Sequence, residues 1–160
     1  MQLIKKLAIT ISAVALVFSG ASVAIAAGPD DAPRVMGKGG KMSVENRSSD
    51  KAEIRIKDPQ CMHDNGQQGS QLSKFGGWYE PGERRPKTGH YYIEQKNSGT
   101  CGVKSAYFTL EAWNAKGIKI AYIKIKGTNS GWSKFAYDNS ASFDVNISND
   151  VLDFYIYRQN

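Results

Sequence analysis

A chain of 160 residues with 41% apolar side chains has the length for one domain around a single buried core. Its formal net charge of +6 favours anionic surfaces, whether lipid headgroups, cell wall or nucleic acid, without selecting one. Two cysteines and two histidines in no ligand-like spacing argue against a zinc site, and nothing in the composition calls for a cofactor.

The N-terminus reads as a secretory signal peptide, residues 1–26. Lys5 and Lys6 give a positive start, Leu7 to Val17 is an apolar run broken only by Thr10 and Ser12, and Ala24-Ile25-Ala26 offers a cleavage site near Ala26 or Ala27. The run is short for a bilayer span of roughly 20 residues. Cleavage removes two lysines and no acid, so the net charge falls from +6 to +4. The protein is therefore expected outside the cytoplasm, secreted or periplasmic. Residues 27–40, with Pro29, Pro33 and several glycines, read as a flexible linker.

From Lys41 onward, residues 41–160, the period is two. Met42 and Val44 alternate with polar residues, as do Ala52, Ile54 and Ile56. The turn-forming cluster Asn46 to Asp50 between them predicts a hairpin. Asp58 to Pro86 is rich in glycine and proline and predicts a long loop with at most a short strand. His90 to Gln95 is the next strand. Lys104 to Trp113 follows, with Ala106, Phe108, Leu110 and Ala112 on one face and Trp113 assigned to the core. Asn114 to Gly117 forms a turn into Ile118 to Lys126, where apolar parity switches between Ile120 and Ala121 and predicts a bulge. Gly127 to Ser142 reads as a second loop. Phe143, Val145 and Ile147 mark a strand that turns at Asn149-Asp150 into Val151 to Tyr157. No helical period survives after the signal, and about six antiparallel strands predict an all-β fold, an antiparallel β-sandwich or small barrel.

Cys61 and Cys101, in an oxidising compartment, are expected to form one disulfide. Closing a loop of about 40 residues contributes roughly 3–4 kcal/mol. That leaves no free thiol for nucleophilic catalysis. No Gly-x-Ser-x-Gly elbow, Walker loop or His-Glu-x-x-His is present.

Two constellations carry functional content. The first is aromatic and basic: Trp78 and Tyr79 with Arg84 and Arg85 in one loop, and Trp132, Lys134 and Tyr137 in the other. Trp and Tyr suit lipid interfaces or stacking on rings, and neighbouring cations attract anionic groups. These rings are expected to be exposed and gathered on one side, with Lys74, Arg84, Arg85 or Lys134 close by. The leading reading is a non-enzymatic binding protein for membrane lipid or a cell-surface glycan, with nucleic acid a less favoured partner. The second constellation is His90 with Glu94 or Glu80, which would serve a small secreted hydrolase such as a ribonuclease. A third reading presents Gly66 to Pro86 as the loop of an enzyme inhibitor.

Several segments carry a resemblance to a known family. Val44-Glu45-Asn46 opens the first strand, Gly77-Trp78 and Pro81 lie in the middle loop, and Ser98-Gly99-Thr100 precedes the strand Ser105 to Leu110. Ile118 to Lys126 is followed by Gly127-Thr128-Asn129-Ser130-Gly131-Trp132. Over about residues 41–148 this layout resembles the aegerolysins, small β-sandwich proteins, although the family's aromatic-Asp-Pro segment is missing after Ile125 and its members are mostly acidic. The resemblance implies a membrane-lipid-binding toxin or cytolysin component acting beside a larger pore-forming protein.

Overall fold

The computed structural model describes residues 39–63 and 71–157. The expected signal peptide and most of the expected linker lie outside the described residues, as do residues 64–70 of the predicted long loop. Among the described residues eleven strands form two sheets packed face to face, so the all-β sandwich expectation holds. The first sheet contains β1 (Gly39–Asn46), β3 (Met62–His63), β5 (Arg84–Arg85), β6 (Tyr91–Gln95), β10 (Phe143–Ser148) and β11 (Val151–Ile156). Its order is β10-β11-β1-β6-β3, with β5 pairing beside β6 against β1. The second contains β2 (Ala52–Gln60), β4 (Gly77–Tyr79), β7 (Ala106–Asn114), β8 (Lys119–Thr128) and β9 (Gly131–Tyr137), in the order β4-β2-β7-β8-β9. Every pairing is antiparallel except β1 with β11.

Period-two alternation sends one face of each sheet inward. Phe108, Leu110, Ile123 and Ile125 from the second sheet meet Met42, Ile93, Phe143 and Phe154 from the first, all fully buried. The parity switch in β8 is a bulge: Ala112 pairs with Ala121 and Trp113 with Lys119, which leaves Ile120 as the extra residue. The Asn149-Asp150 turn closes the β10–β11 hairpin with both residues at positive φ, 48° and 63°. That matches a two-residue type I′ connection, and Asn and Asp tolerate it better than most residues.

The predicted Asn46–Asp50 hairpin does not form. β1 and β2 belong to different sheets, and the segment between them crosses the sandwich. The buried Asn46 side chain holds that crossing. Its amide donates to the carbonyls of Asp50 (2.8 Å) and Tyr79 (3.1 Å), and its oxygen accepts from the amide and hydroxyl of Ser48. These bonds replace the ladder a hairpin would have supplied. Gly127 to Ser142 is likewise no simple loop, since β9 runs through it.

Cys61 and Cys101 are bonded, with Cα atoms 5.4 Å apart, and tie the β2–β3 junction to the short 3-10 turn Gly99–Val103. Among the described residues no helix is long and apolar enough to cross a membrane.

Candidate functional site: the outer face of the five-stranded sheet

The aromatic and basic residues predicted to cluster are dispersed, and two of the rings are in the core. Tyr79 is fully buried. Its hydroxyl donates to the Phe75 carbonyl at 2.9 Å, the Arg85 guanidinium lies 4.1 Å over its ring, and burial pushes the phenol above its usual range despite that cation. Trp132, 7% exposed, points into the sandwich and donates through its indole N–H to the Gly39 carbonyl at 3.1 Å. Their expected exposure is therefore corrected: both lie on the apolar parity of edge strands that close over the core. Arg85 is spent on bracing, bonded to the carbonyls of Gly76 and Trp78 and to Glu83. Trp78 is 40% exposed on β4, while Lys134 and Tyr137 are on β9, so the three occupy opposite edges of one sheet. Lys134 bonds Asp144 at 2.7 Å and stacks 4.3 Å over the Tyr137 ring.

The histidine constellation is also rearranged. Glu80 pairs with Lys51 at 2.6 Å, and Glu94 sits opposite His63, about 13 Å along the strand from His90 at the usual rise per residue. The carboxylate that meets His90 is Asp153. One Asp153 oxygen accepts from the Ser43 hydroxyl, lies 2.9 Å from His90 Nε2 and sits 3.8 Å from Arg84. Glu94 is buried, with Oε2 lacking a hydrogen-bond partner among the described residues. Burial raises its pKa, and the charge of His63 opposes that rise in part. Among the described residues no three metal-ligating side chains gather.

What the fold does assemble is the solvent face of the second sheet. Residues alternate to that face along β2 (Glu53, Arg55, Lys57), β7 (Tyr107, Thr109, Glu111, Trp113) and β8 (Tyr122, Lys124, Lys126), and the ladder sets them in rows. Trp78, Glu53, Trp113 and Lys119 form one row, and Arg55, Glu111 and Tyr122 the next. Here charges balance: Arg55 bonds Glu53 and stacks 4.0 Å over Trp113, whose indole N–H donates to Glu111, and Lys119 also reaches Glu111. Trp113 thus belongs to the outer face rather than the core.

The remaining two rows differ. Lys57, Thr109, Lys124 and Ala136 make the third, and Gln60, Tyr107, Lys126 and Ser133 the fourth. A register shift between Lys124 and Ile125 leaves Phe135 as the extra residue of β9, and it turns outward, 54% exposed. Phe135 meets Tyr107 edge-on, with centroids 5.4 Å apart. Lys124 lies 5.2 Å over the Tyr107 ring and 5.7 Å over Phe135, and Lys126 lies 5.8 Å over Phe135. Lys57, Lys124 and Lys126 form no ion pair among the described residues, in contrast to Lys51, Arg55, Lys119 and Lys134. Three ammonium groups without a carboxylate partner, two of them over the half-buried Tyr107 and the exposed Phe135, make an anion-attracting platform. The signal for it in the sequence was the polar parity between Ile123, Ile125 and Gly127. Comparison of the chain with protein-family models gives no match, and comparison with curated proteins gives none either.

Proposed function

We propose that the protein is an exported, non-enzymatic binding protein that meets an anionic cell surface with the outer face of its five-stranded sheet. The observation that carries this reading is the set of lysines without an ion pair among the described residues, Lys57, Lys124 and Lys126, in adjoining rows of that face, with Lys124 and Lys126 over the Tyr107 and Phe135 rings. Each cation near an anionic surface contributes about 1 kcal/mol, and exposed rings supply the apolar contact. Membrane headgroups and acidic cell-surface glycans share the required chemistry. The Cys61–Cys101 bond supports an oxidising compartment and hence export. The resemblance to the aegerolysins agrees with a surface-binding role and adds a larger pore-forming partner as a further proposal. The test is retention of the protein on anionic and neutral supports across a salt series. Retention on the anionic supports alone, lost with rising salt and abolished by Lys124→Glu/Lys126→Glu, is expected. Equal retention on neutral supports would overturn the reading.

A second reading, a small secreted hydrolase, keeps one supporting observation. His90 is oriented by Asp153 at 2.9 Å with Arg84 beside that carboxylate, an arrangement suited to a general base near an anion. RNA degradation that disappears in His90→Ala would favour it over the binding reading.

A further inference from the structure

We infer that the occupant of this face is a single chain of acidic polysaccharide laid across the strands. The inference rests on the anionic-surface reading above and narrows it.

The charge on the face is divided along the strands. The two rows nearest the β7–β8 turn carry the carboxylates of Glu53 and Glu111, and Glu80 stands just beyond β4. The two far rows carry Lys57, Lys124 and Lys126 with no carboxylate at any paired position. Asp58, in the β2 bulge, makes no ion pair with them among the described residues. A bilayer is a continuous anionic plane. Seated on this sheet it would cover both halves, and over the near rows, where Glu53, Glu111 and Glu80 neutralise Arg55, Lys119 and Lys51, it would desolvate ion pairs without meeting a net positive charge. A linear polymer is narrow enough to follow the carboxylate-free rows alone.

The dimensions of those rows suit such a chain. From β2 across β7 and β8 to β9 is three strand spacings, about 14 Å. Lys57 and Lys124 share one row two strand spacings apart, about 10 Å, with Lys126 in the adjoining row, so anionic groups of a chain laid along that row can each meet an ammonium. Tyr107 and Phe135 meet at 64° and form a step beside these cations. A pyranose ring packs its C–H bonds on such an aromatic face while its hydroxyls face Thr109, Ser133 and Gln60, polar residues of the same rows. A bilayer asks for something else: rings carried 5–10 Å into the headgroup region, on the scale of interfacial helices. Of the four rings that the sequence placed in loops for that purpose, Tyr79 and Trp132 are in the core, and Trp78 and Tyr137 are exposed on opposite edge strands of the sheet. The rings left outside lie on a strand surface, where lysine stems flank them.

The experiment measures affinity of the purified protein for polygalacturonate and heparin, for the neutral polysaccharide pullulan, and for phosphatidylcholine vesicles containing phosphatidylglycerol. Binding to at least one acidic polysaccharide and none to pullulan is expected. At about fivefold per lysine, Lys124→Gln/Lys126→Gln weakens that binding about thirtyfold. Phe135→Ala weakens it several-fold with little change in melting temperature. Lys116→Gln, which removes one positive charge from the β7–β8 turn, leaves it unchanged. Binding to the vesicles with neither acidic polysaccharide bound, and lost in the double variant, overturns the polysaccharide while the anionic-surface reading stands. Binding to none of the probes overturns both. Polysaccharide binding that survives in the folded double variant removes this face as its site.

Discussion

Replacing Trp132 with Ala tests how the two sheets are joined. The indole projects from β9, meets Phe108 edge-on at 6.0 Å and donates to the Gly39 carbonyl of β1 at 3.1 Å. Close backbone surrounds it: a Cβ on Gly40 would stand 2.6 Å from Nε1, and one on Gly127 would stand 2.7 Å from the six-membered ring. Neighbours held this tightly collapse little into the space left behind. Truncation of a buried Trp costs about 3–5 kcal/mol, and the lost hydrogen bond to Gly39 about 1 kcal/mol. For a domain of this size, roughly 3–5 °C of melting temperature accompanies each kcal/mol, so a fall of about 12–30 °C is expected. Trp132→Phe keeps a ring and loses the N–H, and should fall in between. Phe135→Ala, three residues along the same strand but outside, should change stability by no more than about 1 kcal/mol. Thermal melts and urea titrations followed by near-ultraviolet circular dichroism provide the measurement. A Trp132→Ala protein that melts within about 2 °C of the parent, against an expected loss of that size, would refute the placement of this ring between the sheets.

Gly127→Ala pushes a methyl group against the Trp132 ring and the Gln95 amide, and should cost about 1–3 kcal/mol by urea titration. The double variant Cys61→Ala/Cys101→Ala opens a loop with 40 residues of sequence separation and should lose about 2–5 kcal/mol, with the parent falling to match it on reduction. Glu94→Gln tests the buried carboxyl. Its folded-state pKa is raised by burial, so its contribution to stability is greatest below the unfolded pKa and is lost as pH rises through the folded value. The difference in melting temperature between mildly acidic and mildly alkaline buffer should therefore shrink in the variant, and an unchanged difference would contradict that assignment.

Strand content was legible wherever one face of a strand is buried and the other is wet. Ala106 to Ala112 and Phe143 to Ile147 are of this kind, and the break at Ile120-Ala121 marked a real bulge. The same alternation already placed Trp113 opposite Ala112, although its place at the end of a strand suggested the core. β9 was missed because only Trp132 of the strand is buried, while Ser133, Lys134, Phe135 and Tyr137 are exposed and the extra residue Phe135 shifts the register, so no period-two apolar face marks it. The false hairpin has a different cause. Alternation in β1 and β2 says that each is a strand, but partner choice is a long-range matter, and the partner of β1 is a strand whose Asp153 lies 110 residues beyond Ser43. The candidate site was illegible for the same reason. Lys57, Tyr107, Lys124 and Phe135 belong to four strands, and only the order β2-β7-β8-β9 brings them together.

The parallel pairing of β1 with β11 bears on the order in which the molecule can assemble. β1 emerges early in synthesis, yet it remains without its neighbour on one side until β11 has been made, and β10 reaches the first sheet only through β11. The second sheet has its strands complete by Tyr137, so it can form while the first is still missing its middle. Closing a contact over so long a stretch is entropically costly and slow. Until then the inner face of the second sheet, with Phe108, Leu110, Ile123 and Ile125, has no opposing layer and is open to unwanted association. A chain truncated before Val151 should therefore stay in that sticky half-built state.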